Sequence, residues 1–440
     1  MYWINKSIHQ MSRFRRRLLI LLAVVGPGII TMVADNDAGG ISTYAVTGSK
    51  YGFNFLWVFF ILIPMVYYVQ EMTVRLGAVT KRGNAEAIFD GFGPVWGWFA
   101  IFDLAVVNWL TLVTEYIGMT AAMSIFGVPP VLTYLAVTAI LMGVVLSGRY
   151  WTFEKMTLLF CGFNLVYIPA ALWVMDPSYT QATWSLVGEG FYSPSFPNGI
   201  TQDVIFIFMA NVGTTITPWQ IFFQQSAVVD KGFDVRDIKS GKIDTLVGSI
   251  LTGVVASFII IVTGAAFYYQ AAPTVITDAK DTAIALKPLL GEGRGDWATR
   301  LFAIGLFDAG FLGALCISLS TSWAVGEVFG WAHSLNRSVR DAPWFYVVYL
   351  GSLLTAGGVV LIPGAPLIVI TMFVQVVAVT LLPAALVFLI LLLNDKATMG
   401  PYVNTPMQNV VNWSIAIFVI LISSFFGLTI LFPNLLPGSS

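Results

Sequence analysis

The sequence predicts an all-α integral membrane protein of eleven transmembrane helices, arranged as two five-helix halves followed by one more helix. Three observations carry that expectation. Of 440 residues, 57% are apolar and 10% charged, against about 45–50% and about 25% in soluble domains. The apolar residues fall into eleven continuous runs, each close to the roughly 20 residues that a helical span needs. Two runs, the first and the sixth, are interrupted by motifs that a continuous helix disfavours. Continuous rather than alternating runs also argue against a β-barrel. The 40 glycines and 20 prolines suit membrane helices, where neighbouring elements re-satisfy freed backbone groups.

Taken in order, the expected spans are 18–48, 53–78, 93–124, 129–147, 153–175, 200–228, 243–270, 300–332, 344–362, 365–393 and 410–432. Arg13, Arg15, Arg16 and Arg17 precede the first. That span is too long for a signal peptide and has no small-residue cleavage site, so an uncleaved first helix is expected. With the N-terminus in the cytoplasm, 17 of the 22 basic residues fall inside and five outside: Lys50, Lys280, Lys287, Arg294 and Arg300. This is the bias of the positive-inside rule, and it puts the C-terminus outside a multi-pass plasma-membrane protein. The domain reading is a basic cytoplasmic tail at 1–17, a first repeat at 18–175, an extracellular loop at 176–199, a second repeat at 200–394, and a connecting loop with the eleventh helix at 395–440.

The first interruption reads Ala34-Asp35-Asn36-Asp37-Ala38-Gly39-Gly40, and the sixth span carries Asn211-Val212-Gly213-Thr214-Thr215-Ile216-Thr217-Pro218. Glycine pairs, short polar side chains and a proline all weaken helix. The two motifs stand in corresponding positions of halves that, having an odd number of spans, enter the membrane from opposite sides. That is the pattern of an inverted repeat whose paired broken helices build a site at the bilayer midplane.

Charge at the bilayer centre costs roughly 2.5–3.5 kcal/mol on insertion scales. Asp37, and secondarily Asp35, are therefore expected to meet a cation; the structural alternative is that one of them caps the second half-helix. Thr214, Thr217, Gln375 and the carbonyls near Ala34 and Asn211 would add neutral oxygens, and hard oxygens suit Mg²⁺, Ca²⁺ and Mn²⁺. Thr215 belongs to the same stretch, although a membrane threonine often only bonds back to its own helix. Gln375 is either a ligand or a helix–helix bond. Glu115 has no basic residue in its own span, and Asp103, Asp308 and Glu327 are further buried acids. Two cysteines, Cys161 and Cys316, and two histidines, His9 and His333, leave no thiolate- or histidine-built metal cluster. Near-neutral charge gives no basic face for nucleic acid, and no phosphate-binding loop or hydrolase motif appears, so an enzyme or ATP-driven pump is not expected.

These motifs resemble the natural resistance-associated macrophage protein (Nramp) family of divalent-metal transporters. Gly26-Pro-Gly followed by Ala34 to Gly40 looks like the family's GPG…DPGN signature. The stretch TPWQIFFQQSAVV from Thr217 is similar to its MPHNLYLHS segment, and Gln375-Val-Val before Pro383 to its tenth-helix Q…LP pattern. The resemblance covers essentially the whole chain and implies a LeuT-type fold of ten core helices plus an eleventh. It also implies that Asp37 is the metal-binding aspartate, Gln375 a glutamine that joins the closed site, and Glu115 a third-helix acid associated with proton movement. The departures point to one branch, the Nramp-related magnesium transporters. Gly40 stands for the family's asparagine and Thr217 for its methionine, a soft sulfur ligand. Trp219 and Gln224 replace the sixth-helix histidines, Leu112 the third-helix aspartate, and the ninth span has no arginine.

The expected function is import of Mg²⁺, and also Mn²⁺, by alternating access without proton coupling, with no cofactor. Metal contacts are expected from Asp37, Thr214, Thr217, Gln375, Ala34, Asn211 and Gly40, with secondary roles for Asp35, Thr215 and Glu115. The divalent ion and the bilayer are the expected partners, and a monomer would suffice. The alternatives are a proton-coupled Mn²⁺/Fe²⁺ carrier, an Na⁺-coupled organic-solute transporter of the same fold, and an ion channel.

Overall fold

A computed structural model of the chain describes residues 26–146, 149–273 and 293–432, together with Ile276 and Ala283. Lys6, the four arginines of the tail, His9, Lys280 and Lys287 lie outside the described residues, so the charge count that orients the chain rests partly on them.

The first span is two helices, α1 (Pro27–Ala34) and α2 (Ala38–Tyr51). Proline opens α1 at the position where a missing amide costs least. The chain leaves helical geometry at Asp37, whose backbone is extended (φ −69°, ψ 176°), and its carboxylate accepts the Gly40 amide at 2.6 Å. This aspartate N-cap starts α2. The second span is α3 (Val58–Thr80); a short α4 (Asn84–Phe92) leads into α5 (Pro94–Ile125), and α6 (Pro130–Val145) follows.

The fifth span departs from expectation. It consists of α7 (Tyr150–Cys161), a 3₁₀ turn over Phe163–Val166, and α8 (Tyr167–Val174). Pro169 explains the interruption: it has no amide for the Leu165 carbonyl, and its ring clashes with that carbonyl in regular α-helix. The outer segment expected as a loop at 176–199 contains α9 (Trp184–Tyr192), started by the Thr183 hydroxyl accepting the Leu186 amide at 3.3 Å. The Gly190 carbonyl of α9 accepts the Trp57 amide at 3.2 Å, which seats the helix over the N-terminal end of α3.

The sixth span is α10 (Gln202–Thr215) and α11 (Pro218–Lys231), separated by Ile216 and Thr217 in extended conformation. Then come α12 (Ile238–Thr263), which ends in a π turn at Gly264–Tyr268, and α13 (Arg294–Phe329). They begin five and six residues earlier than expected. The last spans are α14 (Pro343–Gly357) with a 3₁₀ turn at Gly358–Leu361, α15 (Leu367–Asn394), and, after a short α16 (Lys396–Met399), α17 (Pro406–Leu431).

Among the described residues, nine helical segments are long and apolar enough to cross a membrane, and Pro130–Val145 is a shorter apolar helix. The first span adds two half-helices, which completes the eleven. α12 lies along α1, α2 and α3, and α11 packs on α3; α13 lies along α5, flanked by α14 and the 3₁₀ turn of the fifth span. The broken spans run between these two groups, and α15 closes against α10 and α5. Small residues allow the close approaches that membrane packing relies on. A Cβ on Gly213 of α10 would collide with the Gln375 carbonyl of α15.

Candidate metal-binding site

Both broken helices and α15 meet at Gly39 and Gly40. A Cβ on Gly40 would stand 2.9 Å from Thr214 Oγ1, 3.2 Å from the Asp35 carbonyl oxygen and 3.3 Å from Asp37 Oδ1. A Cβ on Gly39 would run into the Gln375 amide and stand 2.8 Å from Thr114 Oγ1. The paired glycines thus let polar atoms from the first, third, sixth and tenth spans approach one another closely.

The carboxylate of Asp37, 1% exposed, divides its work. Oδ1 caps α2, while Oδ2 has no hydrogen-bond partner. Thr214 Oγ1, Thr217 Oγ1 and both polar atoms of the Gln375 amide are likewise buried without partners. An unpartnered buried polar group costs about 1–3 kcal/mol, so a cluster of them marks a place that a polar species satisfies.

The remaining sequence-derived residues divide clearly. α10 stays helical four residues past Asn211, so the Asn211 carbonyl is not freed by unwinding; it accepts the Thr215 hydroxyl at 2.8 Å, and the Asn211 amide donates to Thr47 Oγ1 at 2.8 Å. Thr215 also meets Tyr44 Oη at 2.9 Å. Ala34 is the last residue of α1, and the carbonyl facing Gly40 is that of Asp35, one residue on. The Asp35 side chain accepts from the Gln220 amide of α11, tying the two breaks together. Glu115 accepts the Ala38 amide at 3.0 Å. It lies beside Asp37: a Cβ on Gly313 would be 2.7 Å from the Glu115 carboxylate and 3.0 Å from Asp37 Cβ. None of the ion pairs among the described residues involves Asp35, Asp37 or Glu115. No three His, Cys, Asp or Glu side chains among the described residues form a metal cage. The donor set is two free carboxylate oxygens, Asp37 Oδ2 and Asp35 Oδ2, plus neutral oxygens.

The site residues Asp35, Asp37, Thr214, Thr217 and Gln375 are at most 1% exposed. Toward the Lys50 end of α2, the space between Ile41, Ser42, Ala45, Phe302, Leu306 and Ile368 has no room for a water molecule. Lys50 pairs with Asp203 at 2.6 Å, linking the ends of α2 and α10. At the other end, Asp244 of α12 accepts the amides of Gly26 (3.2 Å), Gly28 (2.7 Å) and Ile29 (3.4 Å), so a carboxylate from another helix caps α1. The ion pair of Lys231 with Glu154 sits against Gly26.

The sequence reading did not single out Gln220, Thr114 or Asp244. Gln220 was within reach, since it follows Thr217 at capping-box spacing. Nothing local marks Asp244, whose partners are more than 200 positions away. Of the other acids, Glu327 accepts the Ser226 hydroxyl at 2.6 Å and the Ala85 amide at 3.1 Å, which holds α4 in place.

Helices broken in pairs around a buried midplane cluster of oxygens define a multi-pass membrane transporter of the LeuT-type fold. Residues 28–429 match the family described as natural resistance-associated macrophage protein-like, so the chain belongs to the Nramp family: it is a metal transporter and not an enzyme. The fold is similar to a crystal structure of the Eremococcus coleocola manganese transporter in complex with an aromatic bis-isothiourea compound, at a TM-score of 0.77 and 19% identity, covering 96% of this chain and 90% of that one. It is also similar to MhsT in complex with L-phenylalanine (TM-score 0.60, 14% identity, 91% and 98% covered). Mhp1, a nucleobase-cation-symport-1 family transporter in a closed conformation, matches at a TM-score of 0.56 and 12% identity, with 94% and 95% covered. At these identities the likeness establishes the fold.

Proposed function

We propose that the protein imports Mg²⁺, and also Mn²⁺, across the plasma membrane by alternating access, without moving protons. The observation that carries this reading is the set of unpartnered buried oxygens at the break: Asp37 Oδ2, Asp35 Oδ2, Thr214 Oγ1, Thr217 Oγ1 and Gln375 Oε1, with no sulfur or imidazole among them. Mg²⁺ binds through one or two carboxylates and keeps several waters, and the two carboxylates of Asp37 and Asp35 among neutral oxygens balance a divalent ion that brings part of its hydration shell. Gly40 contributes by its missing side chain, which lets Thr214 Oγ1, the Asp35 carbonyl and Asp37 Oδ1 come close together.

Transport follows from the hinges at 35–37 and 216–217. Release of the Asp244 cap frees α1 toward one side of the membrane. Release of the Lys50–Asp203 link frees α2 and α10 toward the other. With the N-terminus cytoplasmic, an inward-negative potential drives the ion in. It is worth about 2.3 kcal/mol per charge per 100 mV, hence about 4.6 kcal/mol for a divalent ion, close to a thousandfold gradient. Every donor comes from one chain, so a monomer suffices.

A second reading, proton-coupled Mn²⁺ or Fe²⁺ transport, is favoured by one feature: Glu115 touches the Asp37–Ala38 segment and has no described ion-pair partner. Metal-by-metal uptake into proteoliposomes with a lumenal pH dye separates the two. Uptake of Mg²⁺ and Mn²⁺ without acidification is expected, and metal-dependent acidification overturns the uncoupled mechanism.

A further inference from the structure

A second buried carboxylate stands where the fifth span is unwound. Asp308 of α13 is 3% exposed, and its Oδ2 accepts the Asn164 amide at 3.0 Å. Asn164 lies in the 3₁₀ turn at Phe163–Val166 and is wholly buried. Tyr167, three residues further, packs its ring edge-on against Phe302 at 5.3 Å. Its hydroxyl lies 2.8 Å from where a Cβ on Gly305 would be. Gly305 is three residues before Asp308, so both lie on the face of α13 that meets the fifth span. Three oxygens in this cluster are buried without a partner: Asp308 Oδ1, Asn164 Oδ1 and Tyr167 Oη. No ion pair among the described residues includes Asp308.

The geometry points to a binding site for a monovalent cation, Na⁺, formed by Asp308, Asn164 and Tyr167 and separate from the metal site. Charge balance selects the valence. One carboxylate among neutral oxygens neutralises a single positive charge, whereas a divalent ion would leave net charge in a dry interior, where desolvation is costly. Ligand type selects the chemistry, because oxygen donors suit hard cations. Only Asn164 of this turn is buried, on the side that meets α13, while Phe163 and Leu165 are exposed. The two sites occupy different sides of one helix. Gly310 and Gly313 of α13 face Ala38 and Glu115, and Asp308, about 200° around the helix from Gly310, faces the fifth span. An ion here ties α13 to the unwound turn and stabilises their packing.

The test is thermal unfolding of the purified full chain in detergent, with Na⁺ exchanged for N-methylglucamine at constant ionic strength and with no divalent metal present. Na⁺ should raise the Tm. Asp308→Asn should abolish the rise, Tyr167→Phe, which removes only the hydroxyl, should reduce it, and Asp37→Ala should leave it intact. An unchanged Tm in the wild-type chain overturns the proposal. So does a rise that acid produces and Na⁺ does not, which means a protonated carboxyl. A rise lost in Asp37→Ala and kept in Asp308→Asn also overturns it, placing the ion at the metal site. None of these outcomes depends on whether the cargo is Mg²⁺ or on proton coupling.

Discussion

Thr214 and Thr215 are neighbours of identical chemistry with opposite fates. The Thr215 hydroxyl bonds back to Asn211 and meets Tyr44, as threonines in membrane helices commonly do. The Thr214 hydroxyl has no partner and stands against Gly40. Sequence alone could not separate them, because the choice depends on which side of α10 faces the break. Asp37 shows the opposite case. The choice was legible, since an aspartate in a glycine-rich break has to cap a helix or meet a cation; its Oδ1 caps α2, and its Oδ2 is left without a partner. Asp37→Ala should abolish metal uptake while the protein remains folded, as checked by size-exclusion chromatography and liposome uptake; normal transport would remove Asp37 from its assigned role. Thr217→Met should move preference toward Mn²⁺ by roughly tenfold, about 1.4 kcal/mol, because it adds a soft sulfur. Competition of Mg²⁺ against Mn²⁺ uptake measures that shift.

The half-helices are the elements that must move, and each end is held by a side chain from another span. α1 is short, and an isolated helix of its length is not stable by itself; Asp244 and the Glu154–Lys231 pair hold its start. Losing a carboxylate cap costs about 0.5–2 kcal/mol. Asp244→Ala should therefore favour a state in which α1 swings away from α12. Maleimide labelling of a cysteine placed at Val33, buried in α1, should become several-fold faster from the side at which α1 begins. Unchanged labelling would show that the Asp244 contact does not hold the gate. The positions of both broken spans were legible as sequence, because glycine, proline and short polar residues carry their disruption locally. The break in the fifth span was missed although Pro169 marks it, since a single proline is common in membrane helices and many are accommodated without unwinding.

At the scale of the molecule, the charged tenth of the sequence separates into surface markers and a few interior groups, mostly acids, with the buried Arg75 paired to Glu71. If the ion carries its charge through the buried site without a proton, an inward-negative potential should accelerate uptake into potassium-loaded liposomes treated with valinomycin. A rate independent of potential would contradict net charge movement. Membrane residence, the order and approximate extent of the spans, the paired breaks and the central aspartate were all determined by the sequence. Each follows from composition or from a local conflict with helix that neighbouring residues carry in full. Only the tertiary structure decided which oxygens face one another, how Gln220 joins the two breaks, that Asp244 caps a helix more than 200 residues away, and that Asp308 meets an unwound turn. Those facts depend on packing between spans distant in sequence, and the orientation of a side chain about its helix is set by its partner rather than by its neighbours.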